Sequence, residues 1–197
     1  MLLQNSEYTS RPWRVHDFTK DFEIEDVWAL PTPGGPDDLE RLVRQMTDGD
    51  GSAVNGKDVI GFLFAVRWKL GALLGWDKPD AGVGTRVVSL RDRLPEDLRA
   101  VRGQDMRAVP FKSVYQTHDE WVAESANKTV HVLMHLGWVP DGTGGYYAQM
   151  TALVKPNGLL GKVYMLGISP LRHLLVYPPL LRDIGRRWQA EMRPLRH

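Results

Sequence analysis

Between residues 111 and 154 the chain alternates apolar and polar side chains with a period of two, the pattern of strands buried on one face. Over residues 129–138 the even positions Val130, Val132, Met134, Leu136 and Trp138 are apolar, while the odd ones include Thr129, His131 and His135. Over residues 146–154 the even set is Tyr146, Ala148, Met150, Ala152 and Val154, and the odd set includes Tyr147, Gln149 and Thr151. A turn at Pro140-Asp141-Gly142 pairs Trp138 with Tyr146 and Met134 with Met150, which puts both apolar sets on one face. A two-residue turn at Asn127-Lys128 sets Ser125 against Val130, Ala123 against Val132 and Trp121 against Met134. A loop at Thr117-His118-Asp119 then brings Tyr115 opposite Trp121 and Ser113 opposite Ala123. The pattern predicts a meander of four antiparallel strands.

Helical spacing governs the rest. Pro36 suits a first helical position, and Leu39, Leu42, Val43 and Met46 recur at helical intervals up to Asp48-Gly49. A second helix is expected over 57–74, with Gly75 as its terminator. Residues 23–30 read as a first strand and 87–90 as a short second one. Apolar positions from Leu159 to Trp188 mark a long C-terminal helix, which Pro170 and Pro178-Pro179 must kink or restart because each proline removes a backbone donor. The longest apolar stretch, 59–76, is broken by Arg67 and Lys69 and is too short for the ~20 residues of a membrane span. It reads as a buried helix, with a membrane-surface helix as the disfavoured alternative.

Composition narrows the function classes. The 197 residues carry 43% hydrophobic and 25% charged side chains and suit one globular domain over 1–197. Without cysteine, disulfides, thiolate zinc sites, iron–sulfur clusters and cysteine nucleophiles are excluded. Residues 1–13 have no basic start and no apolar run of a secretion signal, so a cytoplasmic location is expected. The net charge of +1 hides an acidic first half and a basic second half, with Arg182, Arg186, Arg187, Arg193 and Arg196 near the end. Arg186, Arg187 and Arg193 suit the negative end of a helix dipole, and no aromatic residues alternate with the arginines as a groove for single-stranded nucleic acid would need.

His131 and His135 lie four residues apart, but on a strand that spacing is ~13 Å, so they cannot share an ion and no metal is expected. The strand register places Glu124 against His131 and Glu120 against His135 on the outer face, as structural pairs. Gly82-Val83-Gly84 lacks the third glycine of a dinucleotide loop, and residues 142–145 lack the lysine of a phosphate loop. No serine lies in a nucleophile elbow, and no cofactor is expected. What remains is the inner face, where small Ser113, Ala123, Ser125, Ala148 and Ala152 alternate with Phe111, Tyr115, Trp121, Met134, Trp138, Tyr146 and Met150. Either bulky helix residues close this face or a cavity stays open, and pockets are mostly apolar with a few placed polar groups.

Residues 27–35 (VWALPTPGG), 64–71 (FAVRWKLG), 131–139 (HVLMHLGWV), 156–164 (PNGLLGKVY) and Val176-Tyr177-Pro178 are similar to an uncharacterised bacterial family, DUF family 2867. The resemblance covers about residues 11–188. The order of elements resembles the helix-grip fold of the START and polyketide-cyclase-like (SRPBCC) proteins. That resemblance implies an α+β domain whose curved antiparallel sheet wraps a long kinked C-terminal helix, with a cavity between them. The expected function is a binding module for an apolar or aromatic small molecule, a lipid or polyketide-like metabolite. Its site would comprise Ser113, Tyr115, Trp121, Ser125, Met134, Trp138, Tyr146 and Met150, with Tyr164 from the segment that follows. Two alternatives stand beside it: a cyclase- or aromatase-like enzyme in the same cavity, and a protein that docks on a membrane or partner. Related domains fused to nicotinamide-dependent dehydrogenase-like proteins imply an oxidoreductase partner. The resemblance supplies no catalytic residues, and an inward carboxylate or imidazole would favour the enzyme.

Overall fold

The computed structural model describes residues 1–48, 83, 87–107, 109–126, 130–156, 158 and 177–192. The expected helix over 57–74, the turn at Asn127-Lys128, Tyr164 and the Pro170 kink lie outside the described residues.

Five strands form one open antiparallel sheet: β1 (Glu23–Ala29), β2 (Lys112–Gln116), β3 (Glu120–Ala126), β4 (Val130–Pro140) and β5 (Tyr146–Pro156). Their spatial order is β1-β5-β4-β3-β2, so the last four make the expected meander and β1 closes onto β5. The helices among the described residues are α1 (Asn5–Thr9), α2 (Leu39–Asp48), α3 (Glu96–Arg99) and α4 (Tyr177–Met192).

The parity of the meander matches the alternation, but two registers differ from expectation by two residues. Trp138 pairs with Ala148 and Met134 with Ala152, instead of Tyr146 and Met150. The reason is a shorter loop. β4 runs on through Pro140, and the Asp141 carboxylate accepts from the backbone N–H groups of Thr143 at 2.7 Å and Gly145 at 3.0 Å. Gly142 and Gly144, at φ of +81° and +96°, supply the left-handed backbone that this tight loop requires. Trp121 likewise pairs with Leu136 and Ala123 with Met134. A shift of two preserves the faces, whereas a shift of one would reverse them.

Residues 87–90 form no strand. Val87 makes a single bridge to Val83, and Leu90–Arg93 is a 3-10 turn in which the Ser89 side chain accepts the Arg91 N–H. Nor does Pro36 open a helix. It lies in a turn closed by the Gly35 N–H on the Asp38 carboxylate at 2.7 Å, and α2 begins at Leu39. Pro178 and Pro179 follow Tyr177, the first described residue of α4.

Both sheet faces are covered. On the inner face α2 and α4 bring Leu39, Leu42, Val43, Leu181, Ile184 and Trp188 against Trp28, Trp121, Leu136, Trp138 and Met150. Gly185 permits this approach, because a Cβ there would stand 2.7 Å from the Pro31 ring. The outer face, expected to bear exposed ion pairs, is instead a second core. Tyr8, Trp13, Val15, Phe18, Leu90, Leu94 and Leu98 pack on Val27, Val114, Val122, Leu133, Val139 and Leu153.

Candidate functional site

Two β-bulges, one in each edge strand, decide which polar groups face inward. In β1, Ile24 pairs with Leu153 but Asp26 pairs with Ala152, so Glu25 is the extra residue and Asp26 turns to the inner face. In β2, Ser113 pairs with Ala123 but Tyr115 pairs with Val122, so Tyr115 turns outward. The expected inward Tyr115 is therefore corrected: its hydroxyl donates to Glu120 on the outer face at 2.7 Å.

The inner face consequently carries a row across all five strands, Asp26–Ala152–Met134–Ala123–Ser113, spanning ~19 Å at the usual strand spacing. On one side stands a row of large side chains, Trp28, Met150, Leu136 and Trp121. On the other stand Val154, Val132 and Ser125. Ala152, Met134, Val132 and Ser125 are half-buried, whereas Trp121, Ala123 and Ala148 are fully enclosed. Small Ala152, Ala123 and Ser113, bordered on one side by the tall row and on the other by Val154, Val132 and Ser125, make a shallow furrow. Met134 is its one long member, and an unbranched thioether adapts to a neighbour of variable shape.

Polar groups stand at both ends. At the β1 end the Tyr177 hydroxyl, from the first residue of α4, donates to the Asp26 carboxylate at 2.9 Å, and Asp26 is only 1% exposed. At the β2 end the buried Ser113 hydroxyl makes no hydrogen bond to another protein group, while its backbone N–H is held by Asp105.

Of the sequence-derived residues, Met134 lies at the furrow's centre, Ser113 at its end and Ser125 on its rim. Trp121, Trp138 and Met150 face inward as expected but belong to the closed core beneath α2 and α4. The Trp138 and Trp188 rings lie 6.0 Å apart, and their N–H groups are taken by the carbonyls of Gly35 and Pro33. Over this half, the bulky helix residues fill the space. Tyr146 packs at its edge, its backbone paired with Gly34. Asp26 and Tyr177 were missed. Ile24 and Val27 share the outer face at an odd spacing of three, which the bulge at Glu25 accounts for.

The outer-face pairs form, but diagonally and out of water. His131 reaches Glu124 at 2.8 Å and His135 reaches Glu120 at 3.2 Å, all four side chains being almost wholly buried. Burial would raise both carboxyl groups. For Glu120 this is outweighed by His135, the Tyr115 hydroxyl and the Arg14 N–H, and for Glu124 by His131, Ser89 and the Leu90 N–H, so both titrate below the usual range. Burial lowers His135 and keeps its ring neutral despite Glu120. Burial, with the Glu120 charge nearby, raises the hydroxyls of Tyr8 and Tyr115. Among the described residues no cluster of three or more metal-ligating side chains occurs, and no helix is long and apolar enough to cross a membrane.

No curated protein and no solved structure matches the chain. Residues 18–179, which hold all five strands of the sheet and the Asp26–Tyr177 contact, match the family described as protein of unknown function (DUF2867), and the chain belongs to that family.

Proposed function

We propose that this protein binds a largely apolar small molecule against the inner face of its sheet, along the furrow from Asp26 to Ser113. The half-buried stretch of Ala152, Met134, Val132 and Ser125 beside the tall row of Trp28, Met150, Leu136 and Trp121 is the observation that carries this reading. Ala152, Met134 and Val132 offer a half-covered apolar surface with the Ser125 hydroxyl on its rim, and the Ser113 hydroxyl has its hydrogen-bonding capacity unused. An apolar surface with a few placed polar groups is the usual make-up of a small-molecule site. An open antiparallel sheet with a C-terminal helix on its inner face also supports placing the domain among the START-like helix-grip folds. The absence of cysteine accords with work in the cytoplasm. Native mass spectrometry of protein purified from its own host tests the reading through a bound mass that denaturation releases.

A second reading, an enzyme acting in the same furrow, is favoured by Asp26. A carboxyl group on the inner face, oriented by a tyrosine hydroxyl at 2.9 Å, is the type of group that general acid–base chemistry uses. Asp26→Asn separates the readings once the guest is known. A binding module retains the guest unchanged in both proteins, whereas an enzyme converts it and the variant does not.

A further inference from the structure

The outer face holds a group of polar atoms that neither the furrow nor the core packing accounts for. Beneath α1, the rings of Tyr8 and Trp13 close over His135, with centroids 5.4 and 5.1 Å from it. Thr151 lies directly across from His135 on β5, and Gln149 lies across from Gly137, the glycine on which the Trp13 indole rests. Five polar atoms here make no hydrogen bond to a protein group: the Tyr8 hydroxyl, Trp13 Nε1, His135 Nδ1, Gln149 Oε1 and Thr151 Oγ1. All five residues are more than nine-tenths buried. Buried polar atoms are almost always paired, so such a concentration calls for a guest.

Its chemistry follows from the donors and acceptors. The Glu120 carboxylate only accepts, and it faces His135 Nε2 at 3.2 Å, so the hydrogen of the neutral ring resides on Nε2. Nδ1 is then a bare acceptor, as is Gln149 Oε1. Trp13 Nε1 is a donor only, while the Tyr8 and Thr151 hydroxyls donate or accept. A fully deprotonated anion cannot donate to Nδ1 or Gln149, and a metal or ammonium ion cannot accept from Trp13. The guest must both donate and accept, and a neutral one avoids burying an unpaired charge.

We propose that this pocket between α1 and the sheet is a structural water site, in which ordered water donates to His135 Nδ1 and accepts from at least one of Tyr8, Trp13 and Thr151. Glu120 seals it from the other side. Its carboxylate also accepts the backbone N–H groups of Arg14 at 2.8 Å and Val15 at 3.4 Å, fastening the N-terminal segment over the sheet.

Two measurements on the unaltered protein test the site. A high-resolution crystal structure should show water ~2.7–3.2 Å from His135 Nδ1 and in reach of one of those three groups. Nitrogen NMR of histidine-labelled protein near neutral pH should find the His135 hydrogen on Nε2. Ordered side chains with no water density at Nδ1, or a hydrogen on Nδ1, would overturn the proposal. Thr151→Val, which keeps shape and removes one polar partner, should weaken or displace that density. An unchanged water contacting none of the three named groups would also overturn it.

Discussion

The Tyr177 hydroxyl donates to the Asp26 carboxylate over 2.9 Å, joining the first strand to the start of the last described helix across 151 positions of sequence. Both residues are more than nine-tenths buried, so the bond ties α4 to β1 at the first described residue of the helix. Tyr177→Phe should lower stability by about 0.5–1.5 kcal/mol, the net contribution of a typical intramolecular hydrogen bond. Asp26→Asn retains an acceptor oxygen and should cost less. Denaturant titration of the two variants checks the order, and an Asn variant less stable than the Phe variant would contradict it.

Substitutions at two alanines should have opposite outcomes. Ala148 faces Trp138 inside the closed core and is wholly buried, so Ala148→Phe should overpack it and cost about 1–3 kcal/mol. Ala152 faces Met134 in the furrow and is half-buried, so Ala152→Leu should leave the melting temperature nearly unchanged and reduce uptake of an environment-sensitive apolar dye. Equal destabilisation by both would show that the furrow is packed as tightly as the rest of the inner face.

Acid should destabilise the fold in two stages. His135 is lowered in the folded protein, so below its ordinary pKa of ~6.5 the unfolded chain takes up the proton first and stability falls with pH. Glu120 and Glu124 are also lowered, so below ~4.5 the unfolded state again binds more protons and stability falls further. Denaturation midpoints measured from pH 8 to pH 3.5 should therefore decline from about pH 6.5 downward. Stability that stays level or rises from pH 7 to pH 5 would refute the assignment of a neutral, buried His135.

Much of the sheet could be read from the sequence because its central strands are regular. β4 and β5 alternate without interruption, and their parity put Met134, Trp138, Met150 and Ala152 on the inner face, where they lie. The readings that failed came from local geometry that alternation does not encode. The bulge next to Tyr115 expelled that side chain from the inner face, and the bulge at Glu25 breaks the alternation of β1, in which Asp26 faces inward with Trp28. The outer face looked solvated because histidines and glutamates alternate on it. Yet residues 5–18 and 89–99, whose packing has no period to read, cover it and bury the pairs. The expected pairing of His131 with Glu124 and His135 with Glu120 survived the two-residue register shift, since long side chains reach diagonal neighbours as well as direct ones.

Occupancy of the furrow is tested most directly by native mass spectrometry of wild-type protein and Ala152→Leu, both purified from the original host under the same conditions. The account predicts a discrete added mass on the wild type that denaturation releases, and its loss or marked reduction in a variant that remains folded. A wild type that flies at its bare mass and takes up no apolar dye in solution, or a guest retained equally by Ala152→Leu, would contradict a ligand site along the row from Asp26 to Ser113.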